Sequence, residues 1–345
     1  MGGSEIYIRG LLAGLARTDS RNEYLVFTNA ETPRGLVPET GNFQAIPLPV
    51  RAANRPARIL FEQTRLPRAV ANSHCDVLLN AGFTCPLVSS CPNVTTFYDL
   101  QHKRHPEYFR WFDLPAWQFL LWASARRSRA VITISESSRI DLRHYYGVDA
   151  VVIYCGAEAE LFEIAARRDP QQFLLCLSTL HPHKNLIRLI RAFASVDRSG
   201  YELVITGVRG FATNEVEAEI ARLGVEKRVR LAGWLPREEI LELLRTAAAC
   251  IQPSTFEGFG LPVLEAMAAG VPLACSDIMP FREVTAGCVP MFDPLDETAI
   301  AAAVRALIDA PPDAAAALVR ARHFSWDEAA RQTLRVLRGA AAYEE

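Results

Sequence analysis

Short, nearly unbroken apolar runs alternate along the chain with longer stretches in which apolar residues recur every three or four positions. The short runs predict strands at 24–28, 76–80, 94–98, 130–135, 151–154, 173–177, 202–207, 229–231, 249–253, 271–276 and 288–291. Continuous rather than alternating apolar residues mark strands buried on both faces, as in parallel sheets covered by helices. The helical period appears at 185–195, 215–223 and 237–248. Strands alternating with helices predict βαβ units and an α/β fold. The polar stretch "GAEAELFEIAARRDPQQ" at 156–172 reads as a linker. It predicts two domains, 1–158 and 171–324, with a cleft between them; ligands of open α/β sheets sit beyond the carboxyl ends of the strands. In "FSWDEAARQTLRVLRGA", Ser325 and Glu328 form a capping-box pattern and Trp326, Ala330, Leu334 and Leu337 an apolar stripe. Residues 325–345 are thus expected to form a helix that packs back on the first domain.

Composition narrows the class. The chain has 345 residues, 50% hydrophobic and 22% charged, which suits two globular domains. A net charge of -2 argues against a nucleic-acid partner held by a basic surface. No apolar run reaches the ~18 residues of a membrane span, and no signal-peptide pattern is present. Eight cysteines, at 75, 85, 91, 155, 176, 250, 275 and 288, include no CxxC pair. They are expected to be free, buried thiols in a reducing cytoplasm. No metal-ligand spacing stands out.

The densest candidate chemistry is "STFEGFGLPVLEAMAAGVP" at 254–272. A strand ends at Pro253 and a loop carries Glu257, Gly258, an exposed-looking Phe259 and Gly260. Pro262 suits the first turn of a helix, which runs past Glu265 until Gly270 stops it. The glycines let backbone approach a ligand. The N–H groups of residues 259 to 263, apart from Pro262, would face an anion at the helix start. Glu265 could then accept from a ribose diol and Glu257 from sugar hydroxyls. The plainer alternative makes Glu265 a favourable first-turn acid and Glu257 a solvated loop acid. Lys184 opens a helix, where the dipole disfavours a cation, so a ligand explanation gains weight.

"PSTFEGFGLPVLEAMAAGVPLACSDIMPFREV" resembles the donor-site motif of retaining glycosyltransferases of the GT-B fold, glycosyltransferase family 4, with two glutamates separated by seven residues. "STLHPHKNLIRLIRAF", "LVITG" and "VRLAGWLPREEILELLRTAAACIQPS" resemble further units of that family in the same order. In the first half, "DLQHKRHPEYF", "ITISESSRIDL" and "VIYCGAE" do the same. The resemblance covers nearly the whole chain. It implies two Rossmann-like domains, the second binding the donor, and transfer of a hexose from a nucleotide-diphosphate sugar to a glycan or lipid-linked acceptor in cell-surface polysaccharide synthesis, without a metal cofactor. Mannose is the sugar suggested by the subgroup that "DLQHKRHPEYF" resembles. The implied setting is the cytoplasm, with peripheral association at the inner face of the membrane left open.

By the same resemblance, Glu265 binds the donor ribose, Glu257 contacts the sugar and Lys184 neutralises the diphosphate. Gly258, Phe259, Gly260 and Leu261 line the phosphate and sugar, and Gly2 and Gly3 stand for the glycine loop of the first domain, which faces the diphosphate across the cleft. The chain departs from the family in three places. Ser178 stands where an arginine usually partners the lysine; either His183 or another cation substitutes, or the charge is less well balanced. Tyr98, before Asp99, stands where a histidine usually nears the donor sugar. Met1 directly precedes Gly2, so the strand that usually leads into the glycine loop is missing; a misplaced start is the preferred expectation. Asp99 reads either as a catalytic group at a strand end or as a turn cap, and His102 either as an acceptor contact or as loop packing. The segment 109–130 joins three tryptophans to a basic end; it reads as a core helix, with a membrane-facing helix as the alternative. A non-catalytic or truncated sugar-nucleotide binder and a sugar-nucleotide epimerase are the competing functions.

Overall fold

A computed structural model describes residues 3–51, 54–109, 114–196 and 200–342. Backbone contacts divide the chain into two units, Gly2–Gly156 with Ser325–Glu345, and Ala157–Phe324. All strand pairs in both are parallel, as the continuous apolar runs predict.

The first unit holds β1 (Tyr24–Thr28), β2 (Phe43–Pro47), β3 (Leu78–Asn80), β4 (Asn93–Phe97), β5 (Ala130–Thr133) and β6 (Val151–Val152). They form two sheets, β1-β2 and β3-β4-β5-β6. All five residues of β4 are buried. The unpredicted β2 exposes three of its five residues, so it lacks the unbroken apolar run that marks the other strands. The first described element is the helix Gly3–Thr18, which packs against the helix Trp326–Ala341. Glycine makes that packing possible: a Cβ on Gly10 would lie 2.2 Å from the Trp326 ring, and one on Gly14 would lie 2.4 Å from the Trp326 carbonyl oxygen. Ser325 caps the second helix by accepting from the N–H groups of Asp327 and Glu328. Glu328 turns instead to Arg331 and Gln332, so only the serine half of the expected capping box forms.

The helix Leu114–Arg127 buries Leu120, Leu121, Ala123, Ser124 and Ala125. Its aromatics do not all join the core: Phe119 and Trp122 are 62% and 42% exposed. Trp111, Phe112 and Gly2 lie outside the described residues.

The second unit is one sheet of β7 (Gln171–Leu177), β8 (Glu202–Thr206), β9 (Val229–Gly233), β10 (Ala247–Gln252), β11 (Leu273–Ser276) and β12 (Met291–Phe292). Its order is β12-β11-β10-β7-β8-β9. The chain builds outward from β7 to β9, then returns to the other side of β7 for β10. Its core gathers Leu174, Ile205 and Ile251 of the sheet with Phe193 and Val304 of the covering helices. Residues 156–172 are not a bare linker. They contain the helix Ala159–Ala165, which packs on the helices Arg237–Thr246 and Leu261–Ala268. All eight cysteines are free and six are buried; burial pushes the Cys250 thiol up to about 12.

Candidate functional site

Strand order reverses between β7 and β10, and the loops leaving such a pair of strands diverge to open a crevice. After β7 the chain makes a one-turn helix, Pro182–Lys184, followed by Asn185 at a φ of 56°. Asn185 is buried, and its Nδ2 donates to the carbonyls of Pro253 (3.0 Å) and Pro294 (2.7 Å). The Thr255 N–H donates to the His183 carbonyl at 2.8 Å. These bonds tie the two loops together and bring Lys184 to Glu257. Lys184 Nζ donates to Glu257 Oε1 at 2.7 Å, and the Ser254 hydroxyl donates to the same oxygen at 2.8 Å. The two charged side chains are only 13% and 12% exposed, so Glu257 is not a solvated loop acid.

The bend before the next helix needs glycine. Gly260 has a φ of 110°, and a Cβ there would lie 2.7 Å from the Phe281 ring. Leu261 then starts the helix, with Pro262 in its first turn. The N–H groups of Val263 and Leu264 donate to the Gly260 carbonyl, so Val263 is not the free donor expected. Among the described residues, the N–H groups of Gly260 and Leu261 find no acceptor. Phe259 is 2% exposed rather than open, and its ring packs edge-on against Phe324 at 5.8 Å. Gly258 is half-buried beside it.

Glu265 is 8% exposed. Its Oε1 accepts from Arg237 Nη1 at 2.7 Å, while Nε and Nη2 of the same guanidinium donate to Glu158 Oε2 at 2.9 and 2.5 Å. Burial pushes the Glu265 carboxyl above its ordinary range, and the Arg237 charge opposes that rise. Neither Arg237 nor Glu158 was foreseen. One signal was available: Arg237 follows Pro236 at a helix start, where the dipole disfavours a cation. Lys184 is not so placed: it ends the one-turn helix, and the next helix starts at Leu186 after Asn185.

Ser178 is buried just past the end of β7, its N–H donating to Thr206 and its hydroxyl to the Thr179 carbonyl. The His183 ring stacks on His181 at 5.8 Å. Burial and then the Lys184 charge hold His181 below the ordinary histidine value; this second histidine beside the lysine was also unforeseen.

In the first unit, Tyr98 is buried, donates its hydroxyl to the Ala81 carbonyl, and packs between Tyr7 and Phe83. His102 is 3% exposed, with Nε2 at 2.5 Å from the Tyr146 hydroxyl. Burial, then the Lys103 charge, pushes it down to about 4. Both side chains face the core: Tyr98 departs from the expected sugar contact, and His102 takes the packing alternative rather than the acceptor contact. Asp99 accepts from the Gln101 N–H at 2.8 Å, a turn cap. Gly3 is the exposed first residue of its helix. Among the described residues, no group of three histidine, cysteine, aspartate or glutamate side chains could hold a metal ion.

Comparison with known proteins agrees with this layout. Residues 157–324 match the family "Glycosyl transferases group 1", and residues 1–161 match "Glycosyltransferase Family 4". The chain is 30% identical to O-antigen chain mannosyltransferase B of Escherichia coli over 261 residues, 70% of this chain and 68% of that one. Among solved structures it resembles a sucrose-phosphate synthase from Thermosynechococcus elongatus, with a TM-score of 0.79 at 19% identity, over 98% of this chain and 93% of that one. It also resembles Anabaena Alr3699/HepE in complex with UDP and glucose, with a TM-score of 0.73 at 20% identity, over 98% and 96% of the two chains. Two parallel α/β units, a glycine-bent helix start between two glutamates, and these matches along the chain have one explanation: the chain belongs to glycosyltransferase family 4, the group 1 glycosyl transferases, with the GT-B fold.

Proposed function

We propose that the chain moves a hexose, mannose first among the candidates, from a nucleotide-diphosphate sugar to a glycan or lipid-linked acceptor with retention of anomeric configuration. One observation carries the proposal. Lys184, Glu257, the uncommitted N–H groups of Gly260 and Leu261, and Glu265 all belong to the loop-and-helix segments that follow β7 and β10, where strand order reverses. Mannose follows from the O-antigen mannosyltransferase relative, and the nucleotide-sugar donor from the UDP and glucose held by a structural neighbour.

Each group has a part. The Lys184 ammonium carries three donors and spends one on Glu257, leaving two for diphosphate oxygens. With the N–H groups at the helix start, it stabilises the charge that grows as the sugar–phosphate bond breaks. Glu265 accepts from the ribose. Glu257, held by Lys184 and Ser254, receives the sugar hydroxyls. The acceptor hydroxyl attacks the oxocarbenium-like carbon from the face the diphosphate leaves. We place the enzyme in the cytoplasm at the inner face of the membrane. The free cysteines fit a reducing compartment, and the exposed Phe119 and Trp122, on the same helix as the exposed Arg126 and Arg127, fit a lipid surface.

A thermal-shift screen with GDP, UDP and ADP sugars tests the proposal. One nucleotide family should raise Tm, Glu265→Ala should abolish the shift, and product analysis should find a sugar–acceptor conjugate. No shift with any donor overturns it; a shift without product favours a non-catalytic binder, and an epimerised donor favours an epimerase.

A further inference from the structure

Arg237 opens its helix with a largely enclosed cation at the positive end of the dipole, where an acid or a small polar residue is the stable choice. Its side chain is 17% exposed, so it needs partners. It has two, Glu158 and Glu265, and they are not engaged alike. The guanidinium places Nε and Nη2 on one oxygen of Glu158 and a single nitrogen, Nη1, on Oε1 of Glu265. Among the described residues nothing donates to Oε2 of Glu265. Glu158 therefore anchors the fork, and the fork grips Glu265 by one oxygen while leaving the other to a ligand.

We propose that Arg237 is the positioning residue that makes this site select ribose over deoxyribose. The inference rests on the transferase reading, in which Glu265 receives the ribose. A vicinal diol donates two hydroxyl hydrogens, and a carboxylate accepts them well only while ionised and correctly aimed. Arg237 acts on both conditions. Its charge, 2.7 Å from Oε1, opposes the desolvation that favours the neutral acid at this buried carboxylate. Its planar fork, fixed at the far end by Glu158, sets the rotation of the carboxylate. A protonated or swung Glu265 would hold a 2′-deoxy or 3′-deoxy sugar nearly as well as ribose. The diphosphate contacts, which lie at Lys184 and the helix start, would be unchanged.

The test is isothermal titration of GDP and UDP, each against its 2′-deoxy and 3′-deoxy analogue. The proteins are wild type, Arg237→Met, Arg237→Lys and the double variant Arg237→Met with Glu158→Gln. The double variant removes both charges of the anchor and stays informative if the single variant does not fold. Wild type should prefer the ribonucleotide by about tenfold or more, the scale of one hydrogen bond to a charged group. The preference should fall to within about twofold in Arg237→Met and in the double variant, while binding of the deoxy analogues holds, and Arg237→Lys should restore part of it. A folded variant lacking Arg237 that keeps the full ribose preference overturns the inference and leaves the transferase proposal standing. Failure of wild type to bind any nucleotide overturns both.

Discussion

Lys184 and Glu257 stand 73 positions apart in the chain and 2.7 Å apart in space. If that contact serves to orient a cation toward a departing diphosphate, Lys184→Met should lower kcat by roughly 10²–10³-fold, the cost of losing one group that stabilises transition-state charge. Steady-state kinetics decide it, and a loss under about tenfold would remove Lys184 from the chemistry. His102 makes a different prediction, because its role is in the core. Its folded pKa of about 4 lies below the ordinary value of 6.5, so between these values the unfolded chain binds the extra proton. The burial of His102 therefore costs no stability above about pH 6.5 and destabilises progressively as pH falls to about 4. The full loss is about 3 kcal/mol. Urea melts at pH 7 and 4.5 should show that loss in wild type and much less of it in His102→Gln; equal slopes would contradict it.

At the scale of the element, the 261–268 helix starts where it does because Gly260 holds a left-handed backbone against the Phe281 ring. Gly260→Ala brings both backbone strain and a clash, at a cost of about 1–3 kcal/mol. It should lower Tm by several degrees and weaken nucleotide binding; an unchanged melting curve would show that the bend tolerates a side chain. The helices Arg55–Thr64 and Leu114–Arg127 carry the other element-scale prediction. Arg55 lies over the Trp117 ring at 4.0 Å. The same two helices expose Leu60, Phe119 and Trp122. Apolar anchors beside arginines bind anionic bilayers. Wild type should co-sediment with vesicles containing phosphatidylglycerol and far less with phosphatidylcholine alone. The pair Phe119→Glu and Trp122→Glu should abolish the difference; equal binding by that variant would rule this face out.

For the molecule as a whole, the described residues pass between the units twice, after Gly156 and after Phe324, and the Ala157 N–H donates to the Phe324 carbonyl at 3.0 Å. One unit supplies every member of the proposed donor site, so donor binding is expected to be a property of residues 157–324. The charge on the diphosphate is assigned to Lys184 and the helix start, so turnover should survive excess EDTA. A loss of activity that Mg²⁺ restores would show that a metal shares the work.

Local properties were legible without the fold. Parallel strands appear as continuous apolar runs, and the turn at 258–262 is written in glycine and proline, because each depends on neighbours a few residues away. What the chain pattern left open depends on strand order. The return of β10 to the far side of β7 sets Lys184 against Glu257 and Arg237 against Glu265, and no local pattern encodes it. Burial was misjudged for the same reason. Phe259, Tyr98 and His102 face inward because of what distant segments place over them: Phe324, Tyr7 with Phe83, and Tyr146. The sequence alone determined which segments could carry chemistry; the tertiary fold decided which of their side chains meet, because side-chain contacts are set by sheet topology rather than by distance along the chain.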